Sequence, residues 1–416
     1  MSLARRATLT AALLVAAACN DPSSPAAAKI TSLPRDLTNT ERAITQGSNA
    51  FAFSLLGAVN RSFADSNVFI SPLSASMALG MALNGAGSET HDEMRAALGL
   101  DAGTMAEVNQ GYKALIDLLR GLDPSVDFRI ANSVWYRDTF GPAIEQSFLN
   151  TTRSFFDAEV AGLDFASPQA VTAINDWVNS STNGKIAKMV DQIPPDIVMY
   201  LMNAIYFKGD WRAQFDKKLT GPRSFVTHTG EQISVPTMKR DGGFRMFRLS
   251  SGTLAAELPY GGDAFVMTAI LPPEQADINA FVQSLTPQVL EALTADMSDS
   301  KLTLYFPKFR LRWEDELNDE LKSLGMQRAF IPDGADFTPL SASLGRNLYI
   351  SKVRQKAFVD VNEEGTEAAA VTSVEIGVTS APPTVDFNRP FVFFIRERLS
   401  GTILFVGKIV RPVIMS

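Results

Sequence analysis

Residues 363–380 read EEGTEAAAVTSVEIGVTS, and the reading of the whole chain turns on them. Thr366, Ala368, Ala370, Thr372, Val374, Ile376 and Val378 share one parity and none is charged, whereas Glu367 and Glu375 fall on the other. Alternate side chains of a strand point to opposite faces, so the segment suits a strand with one buried face and both acids on the opposite one. Its Gly, Ser and Glu content, followed by Pro382-Pro383, is instead that of an exposed loop. A loop patterned as a strand suggests a loop that becomes a strand. The competing reading is a permanent edge strand with a small-residue face.

The flanks bear on the choice. Upstream stands LYISKVRQKAFVDVNEEGTEAAA (348–370) and downstream VDFNRPFVFFIRERLSGTILFVGKIVRP (385–412). Earlier come NVFISPLSASMALGMALNGAGSET (67–90), INDWVNSSTNGKIAKMV (174–190) and LMNAIYFKGDW (201–211). In this order and spacing the motifs resemble the serpins, the serine protease inhibitor family, over roughly residues 45 to 416.

Periodicity gives the element types independently. Apolar residues recur at helical spacing in 41–63, 74–84, 90–98, 105–120, 168–180 and 278–293. DFRIANSVWYR (127–137), the apolar run 197–207 and KLTLYFPKFRLRW (301–313) read as strands. So do RSFVTH, EQISVPTMK, FRMFRL, LAAELPY and AFVMTAILP between 223 and 272. PFVFFIRE and GTILFVGKIV read as a hairpin around Arg398–Gly401. Helices followed by strands, without βαβ alternation, argue an α+β fold. The resemblance sharpens this to one domain of three β-sheets with eight or nine helices and an exposed reactive-centre loop.

The N-terminus reads as a targeting segment. Arg5 and Arg6 precede a short apolar run, 7–18, and Cys19 follows as the only cysteine of 416 residues. The run is too short for a spanning helix. It resembles a bacterial lipoprotein signal, cleaved before Cys19 and acylated there, although Ala16 stands where Leu is usual. An ordinary secretory peptide cut after Ala16-Ala17-Ala18 is the alternative. The expected organisation is a signal peptide 1–18, a lipidated Cys19 with a flexible linker to residue 40, and a folded domain 41–416. The product would be exported and membrane-anchored, or otherwise secreted. With one cysteine, no disulfide forms within the monomer, and the domain relies on its core. A content of 46% hydrophobic and 20% charged residues is sufficient for that.

Composition and motifs speak against an enzyme. Only His91 and His228 exist, and neither lies in a G-x-S-x-G or H-E-x-x-H setting. No phosphate-binding G-x-x-x-x-G-K-[ST] loop is present. The acids of NEEGTEA read as a solvated hinge rather than a metal loop, and no metal or cofactor is expected. Net charge is −7 with no Lys/Arg block, so nucleic acid is not an expected partner. Helix 105–123 balances Lys113 and Arg120 against Glu107, Asp117 and Asp123, so a heparin site is not expected there either.

The resemblance assigns roles by position. Glu363, Glu364, Gly365, Thr366, Glu367, Ala368, Ala369, Ala370, Val371 and Thr372 form the hinge of the reactive loop. Counting forward from Glu363 and backward from Pro382-Pro383 both place the scissile bond at Thr379–Ser380, with a cut after Val378 as runner-up. Gly365 is expected to supply unusual backbone angles at the turning point. Ser71, Ser74 and Asn203 match the shutter beneath the central sheet, and Gln355 stands where many members have histidine. Trp211 matches the breach tryptophan, and Lys308 falls where a partner for Glu363 is expected. The implied function is suicide inhibition by a monomer that traps a serine protease as its acyl-enzyme. Small residues on the inserting parity favour it. Val378 and Thr379 favour elastase- or subtilisin-like targets. A non-inhibitory binding or carrier protein is the alternative.

Overall fold

The computed structural model describes residues 27–101, 103–366 and 383–413. In chain order the helices are α1 Asn39–Ser62, α2 Pro72–Leu83, α3 Ser88–Ala97, α4 Met105–Gly121, α5 Gln146–Phe156, α6 Pro168–Ser181, α7 Ile278–Ser284, α8 Pro287–Ala295 and α9 Asn318–Ser323. The strands are β1 Val68–Ile70, β2 Val126–Arg137, β3 Ala158–Leu163, β4 Met199–Asp210, β5 Gly221–Val226, β6 Gln232–Arg248, β7 Leu254–Pro259 and β8 Phe265–Leu271. They continue with β9 Ser298–Pro307, β10 Phe309–Glu316, β11 Arg354–Val361, β12 Gly365–Thr366, β13 Thr384–Asp386, β14 Phe391–Glu397 and β15 Ile403–Ile409.

Local chemistry sets the helix ends. Thr38 and Thr104 each open a reciprocal capping box, with Glu41 and Glu107 as the returning acids. At α2 the Ser71 hydroxyl accepts the Ser74 N–H, and Pro72 fills the first turn, where no donor is lost. Nearly every residue of α2 is buried, because it runs between the two sheets against β4 and β15.

The site lies in a six-stranded sheet of order β10-β11-β12-β4-β2-β3. Its backbone is the long antiparallel ladder of β2 and β4, from Val126↔Gly209 to Tyr136↔Met199. The other sheet runs β1-β15-β14-β8-β7-β6-β9-β13, with β5 on the side of β6. Three sheets were expected, but among the described residues the hydrogen-bonded ladders form two. EQISVPTMK and FRMFRL, expected as separate strands, are one 17-residue strand, β6, paired with β9 and then also with β7. Gly242-Gly243 lies within the β9 ladder, opposite Leu302 and Lys301, just before pairing with β7 begins at Arg245.

Two further expectations change at prolines. The segment 278–293 splits into α7 and α8, because Pro287 has no N–H for a continuing helix and Thr286 caps the new one. The segment 301–313 splits at Pro307-Lys308, where the chain leaves one sheet as β9 and enters the other as β10.

The expected linker is not free along its length. Ile30 and Leu33 pack against the main core and Leu37 is buried. Arg35 pairs with the buried Glu41, whose carboxyl is held down at about 2 by that guanidinium and by Thr38. Apolar side chains at 30, 33 and 37 give the segment a reason to dock that a Pro/Ser/Ala-rich reading overlooks.

Candidate functional site

Gly365 and Thr366 are the centre of the site. They form a short strand between β11 and β4, antiparallel to both, with Thr366 opposite Val361 on one side and Gly209 on the other. Thr366 is 3% exposed, and its hydroxyl bonds the buried Tyr260 hydroxyl at 2.8 Å. Burial drives the Tyr260 phenol pKa far upward, so this group stays neutral. Tyr260 stacks on Trp211 with ring centroids 4.5 Å apart and meets Phe207 edge-on at 4.9 Å.

Gly365 does not have the unusual backbone angles expected of it, since it is absent from the positive-φ residues. It is required by close approach instead. A Cβ there would stand 2.2 Å from the Gly209 carbonyl oxygen and 2.6 Å from the Asp210 Cα. Any side chain at 365 therefore collides with the β4 backbone.

The turn before the strand is tied on every side. The Asn362 Oδ1 accepts from the Glu364 N–H at 3.0 Å, and the Trp211 indole N–H donates to the Asn362 carbonyl at 2.9 Å. The Trp211 and Phe215 backbone N–H groups donate to the carbonyls of Glu364 and Glu363 at 2.8 and 2.9 Å. Glu363 is 4% exposed and accepts from Lys308 Nζ at 2.8 Å and from the Thr220 hydroxyl at 2.7 Å. Burial alone would push its carboxyl pKa up; the Lys308 and Thr220 hydrogen bonds outweigh burial and hold it below the usual range. Glu364 is paired with Lys217.

Below Thr366, β4 and β11 are not paired with each other among the described residues. A narrow opening lined by Ile205, Phe207, Val359 and Thr366 leads down from the hinge. Further along, a cleft of about 480 Å³ opens between Met199–Asn203 and Val353–Gln355 over α2, with Ser74 in its wall. Two strand edges thus flank an apolar slot that the Gly365–Thr366 strand closes at one end.

The residues expected to form a shutter lie along this slot. Ser71 is buried and its hydroxyl donates to the Leu404 carbonyl at 2.8 Å. The Gln355 side chain bonds the Ser71 backbone in both directions, accepting its N–H at 3.1 Å and donating to its carbonyl at 2.7 Å. An amide carries both a donor and an acceptor, and Gln355 uses both to tie β11 to the start of α2. Across the slot, Asn203 Nδ2 donates to Asn132 Oδ1 at 2.7 Å, while Asn203 Oδ1 is buried without a partner.

The structure thus gathers Glu363, Glu364, Gly365, Thr366, Trp211 and Lys308 at one end, and Ser71, Ser74, Asn203 and Gln355 along the slot. Residues 367–372, Val378, Thr379, Ser380 and Cys19 lie outside the described residues. Sequence reasoning missed Tyr260, Thr220, Lys217, Asn362 and Asn132. Tyr260, Thr220, Lys217 and Asn132 act through contacts distant in sequence, whereas Asn362 also caps its own turn by accepting from the Glu364 N–H and carries a local signal. Among the described residues there is no His/Cys/Asp/Glu group able to hold a metal ion, and no helix long and apolar enough to cross a membrane.

A central sheet that holds the first residues of a loop and has room for more defines a class of protein, and the comparisons identify it. The family model described as Serpin (serine protease inhibitor) matches residues 46–412. Human neuroserpin is 33% identical over 365 residues, which cover 85% of this chain and 88% of that protein. The thermophilic serpin tengpin in its native state superposes with a TM-score of 0.80 at 31% identity, covering 93% of this chain and 97% of its own. Human thyroxine-binding globulin complexed with thyroxine superposes at 0.81 and 28% identity, covering 90% of this chain and 100% of its own. The chain belongs to the serpin family.

Proposed function

We propose that this serpin is a suicide-substrate inhibitor of serine proteases, exported and held to a membrane through acylated Cys19. The observation that carries the reading is the Gly365–Thr366 strand, seated between β4 and β11 above an open slot. Continuing its register two residues at a time brings Ala368 opposite Phe207 and Val359, and Thr372 opposite Asn203 and Gln355. Phe207, Asn203, Val359 and Gln355 are all buried, so the uncharged parity of the loop is the one that faces inward. The Thr372 hydroxyl then meets the unpartnered Asn203 Oδ1.

The protease serine attacks the Thr379 carbonyl, the Thr379–Ser380 amide breaks, and Ser380 leaves as a new amino terminus. The acyl-enzyme carries the freed strand, which inserts faster than water cleaves the ester. Val374, Ile376 and Val378 each gain roughly 1.5–3 kcal/mol on full burial. Each new ladder hydrogen bond adds about 0.5–1.5 kcal/mol net. Small residues around the cut favour elastase- or subtilisin-like enzymes.

The test mixes the soluble domain with pancreatic elastase and with subtilisin, followed by denaturing gels. The expected result is a band at the summed mass, with the cut after Thr379. The second reading, a binding protein, draws on the likeness to thyroxine-binding globulin. A thermal melt separates the two. Cleavage in the loop should raise the melting temperature of an inhibitor strongly, and an unchanged melt would favour the carrier.

A further inference from the structure

The amino-terminal segment does more than lead into α1. Ala27 and Ile30 are bound where β4 ends. Arg212 Nη1 donates to the carbonyls of both Ala27 and Gly261 at 2.9 Å. The Ile30 N–H donates to the Gly262 carbonyl at 2.7 Å, and Arg398 Nη2 donates to the Ile30 carbonyl at 3.2 Å. Lys29 pairs with Asp263 at 3.1 Å, and Asp263 also faces Arg398 at 3.4 Å. The strap lies close on Gly262: a Cβ there would meet Ile30 Cδ1 at 2.9 Å and the Ala28 carbonyl at 3.0 Å, as well as Asp123 Oδ2 at 2.9 Å. The strap thus joins the exit of β4 to the turns after β7 and β14. Arg212 follows Trp211, which holds Glu364, so the strap docks beside the hinge.

Cys19 stands 8 residues before Ala27. A fully extended chain of that length reaches at most about 26–29 Å. β4 has 12 residues and runs from Met199, by the wide cleft, to Asp210, by the strap. At about 3.3 Å per residue it spans roughly 40 Å. An anchor at Cys19 therefore reaches past the strap pole, and its leash is shorter than the sheet.

We infer that a lipid bilayer surface is the partner of the pole where β4 ends, with the Ala27–Ile30 strap setting the orientation. The inference rests on acylation of Cys19. Thr366, from which the loop departs, lies at this pole, so a target protease meets the loop close to the lipid. The leash alone would let the domain tumble if the strap were loose, since the chain would then be free back to Leu33, which packs on the core.

The full acylated chain is reconstituted into vesicles of phosphatidylethanolamine and phosphatidylglycerol that carry an acceptor dye on the headgroups. A donor dye is placed on Lys218→Cys, in the exposed stretch after the strap pole, or on Tyr349→Cys, which is 39% exposed beside the wide cleft. Energy transfer from position 218 should exceed that from position 349 by at least about twofold, given the ~40 Å between the poles. The double variant Arg212→Ala/Arg398→Ala should reduce this contrast while remaining folded by circular dichroism. Equal transfer from the two positions in a chain that floats with the vesicles would overturn the inference and leave acylation standing. A chain that does not float would overturn both.

Discussion

Replacing Thr366 by Arg attacks the seated strand at the point where insertion begins. The wild-type side chain is 3% exposed and shares its hydroxyl with Tyr260 at 2.8 Å. Removing that partner leaves a fully buried phenol hydroxyl unsatisfied, at a cost of about 1–3 kcal/mol. The guanidinium adds more, because the wall beside it is largely Ile205, Phe207 and Val359, and the carboxylate that also lines it, Asp360, is already paired with Arg310 at 2.6 Å. An unpaired buried charge costs several kcal/mol even after relaxation. If ~3 kcal/mol of this total opposes insertion while the acyl bond hydrolyses at its usual rate, the partition moves by more than 100-fold, at about 1.4 kcal/mol per tenfold. Thr366→Val keeps the volume and loses only the hydrogen bond, and should show a partial effect. The assay is titration of subtilisin against each variant, with covalent complex and cleaved product quantified on denaturing gels. The expected outcome is that Thr366→Arg is cleaved with almost no complex and no gain in melting temperature. A wild-type ratio of complex to cleaved product would refute the idea that insertion depends on Thr366 seated in the sheet.

Four further outcomes follow from the same geometry. The Glu363 carboxyl is held below its ordinary range, so its contribution to hinge docking is present above the usual carboxylate pKa and is lost as pH falls through the lowered one. Acidification should therefore release the hinge and change Trp211 emission, and Glu363→Gln should abolish that pH step. Charge reversal with Glu363→Lys, set against Lys308, should promote premature insertion or polymers; unchanged monomer on native gels after mild heating would count against this. Gly365→Ala places a Cβ 2.2 Å from the Gly209 carbonyl oxygen and should unseat the strand. The readout is faster limited proteolysis after residue 365, with the melting curve of the rest of the domain little changed. Gln355→Leu leaves the Ser71 N–H and carbonyl without their partners, and should lower stability by about 2 kcal/mol or more in urea unfolding.

Much of the architecture was legible because it is local. The helices at 41–63, 74–84, 90–98, 105–120 and 168–180 appear within a few residues of their expected ends, since the apolar spacing lies in the segments themselves and caps such as Thr38, Ser71 and Thr104 stand just before them. The breaks at Pro287 and at Pro307-Lys308 were harder, because the apolar pattern runs on across both and only the backbone requirement divides it. The union of the sheets through β6 depends on partners far away in the chain. The motif and its parity single out Glu363–Thr366 as a place of interest, but not the residues that grip it. Tyr260 and Thr220 are ordinary until the fold brings them to Thr366 and Glu363. Gly365 illustrates the limit most clearly: a glycine was needed, and the reason is a neighbouring strand that no local reading reveals.

The seated strand also divides the loop into parts that answer to different selective pressures. Under the proposed mechanism Gly365 and Thr366 fix the alignment before any cut, so that insertion would resemble closing a zipper whose first teeth are engaged. A change of one residue in length just beyond them would turn every later side chain to the wrong face, whereas a change of two would preserve the alternation. Outward-facing positions and those near the cut escape this restriction. If the proposed inhibition holds, recognition of a new target would then be acquired by rewriting that far end alone, with the mechanics of closure inherited intact.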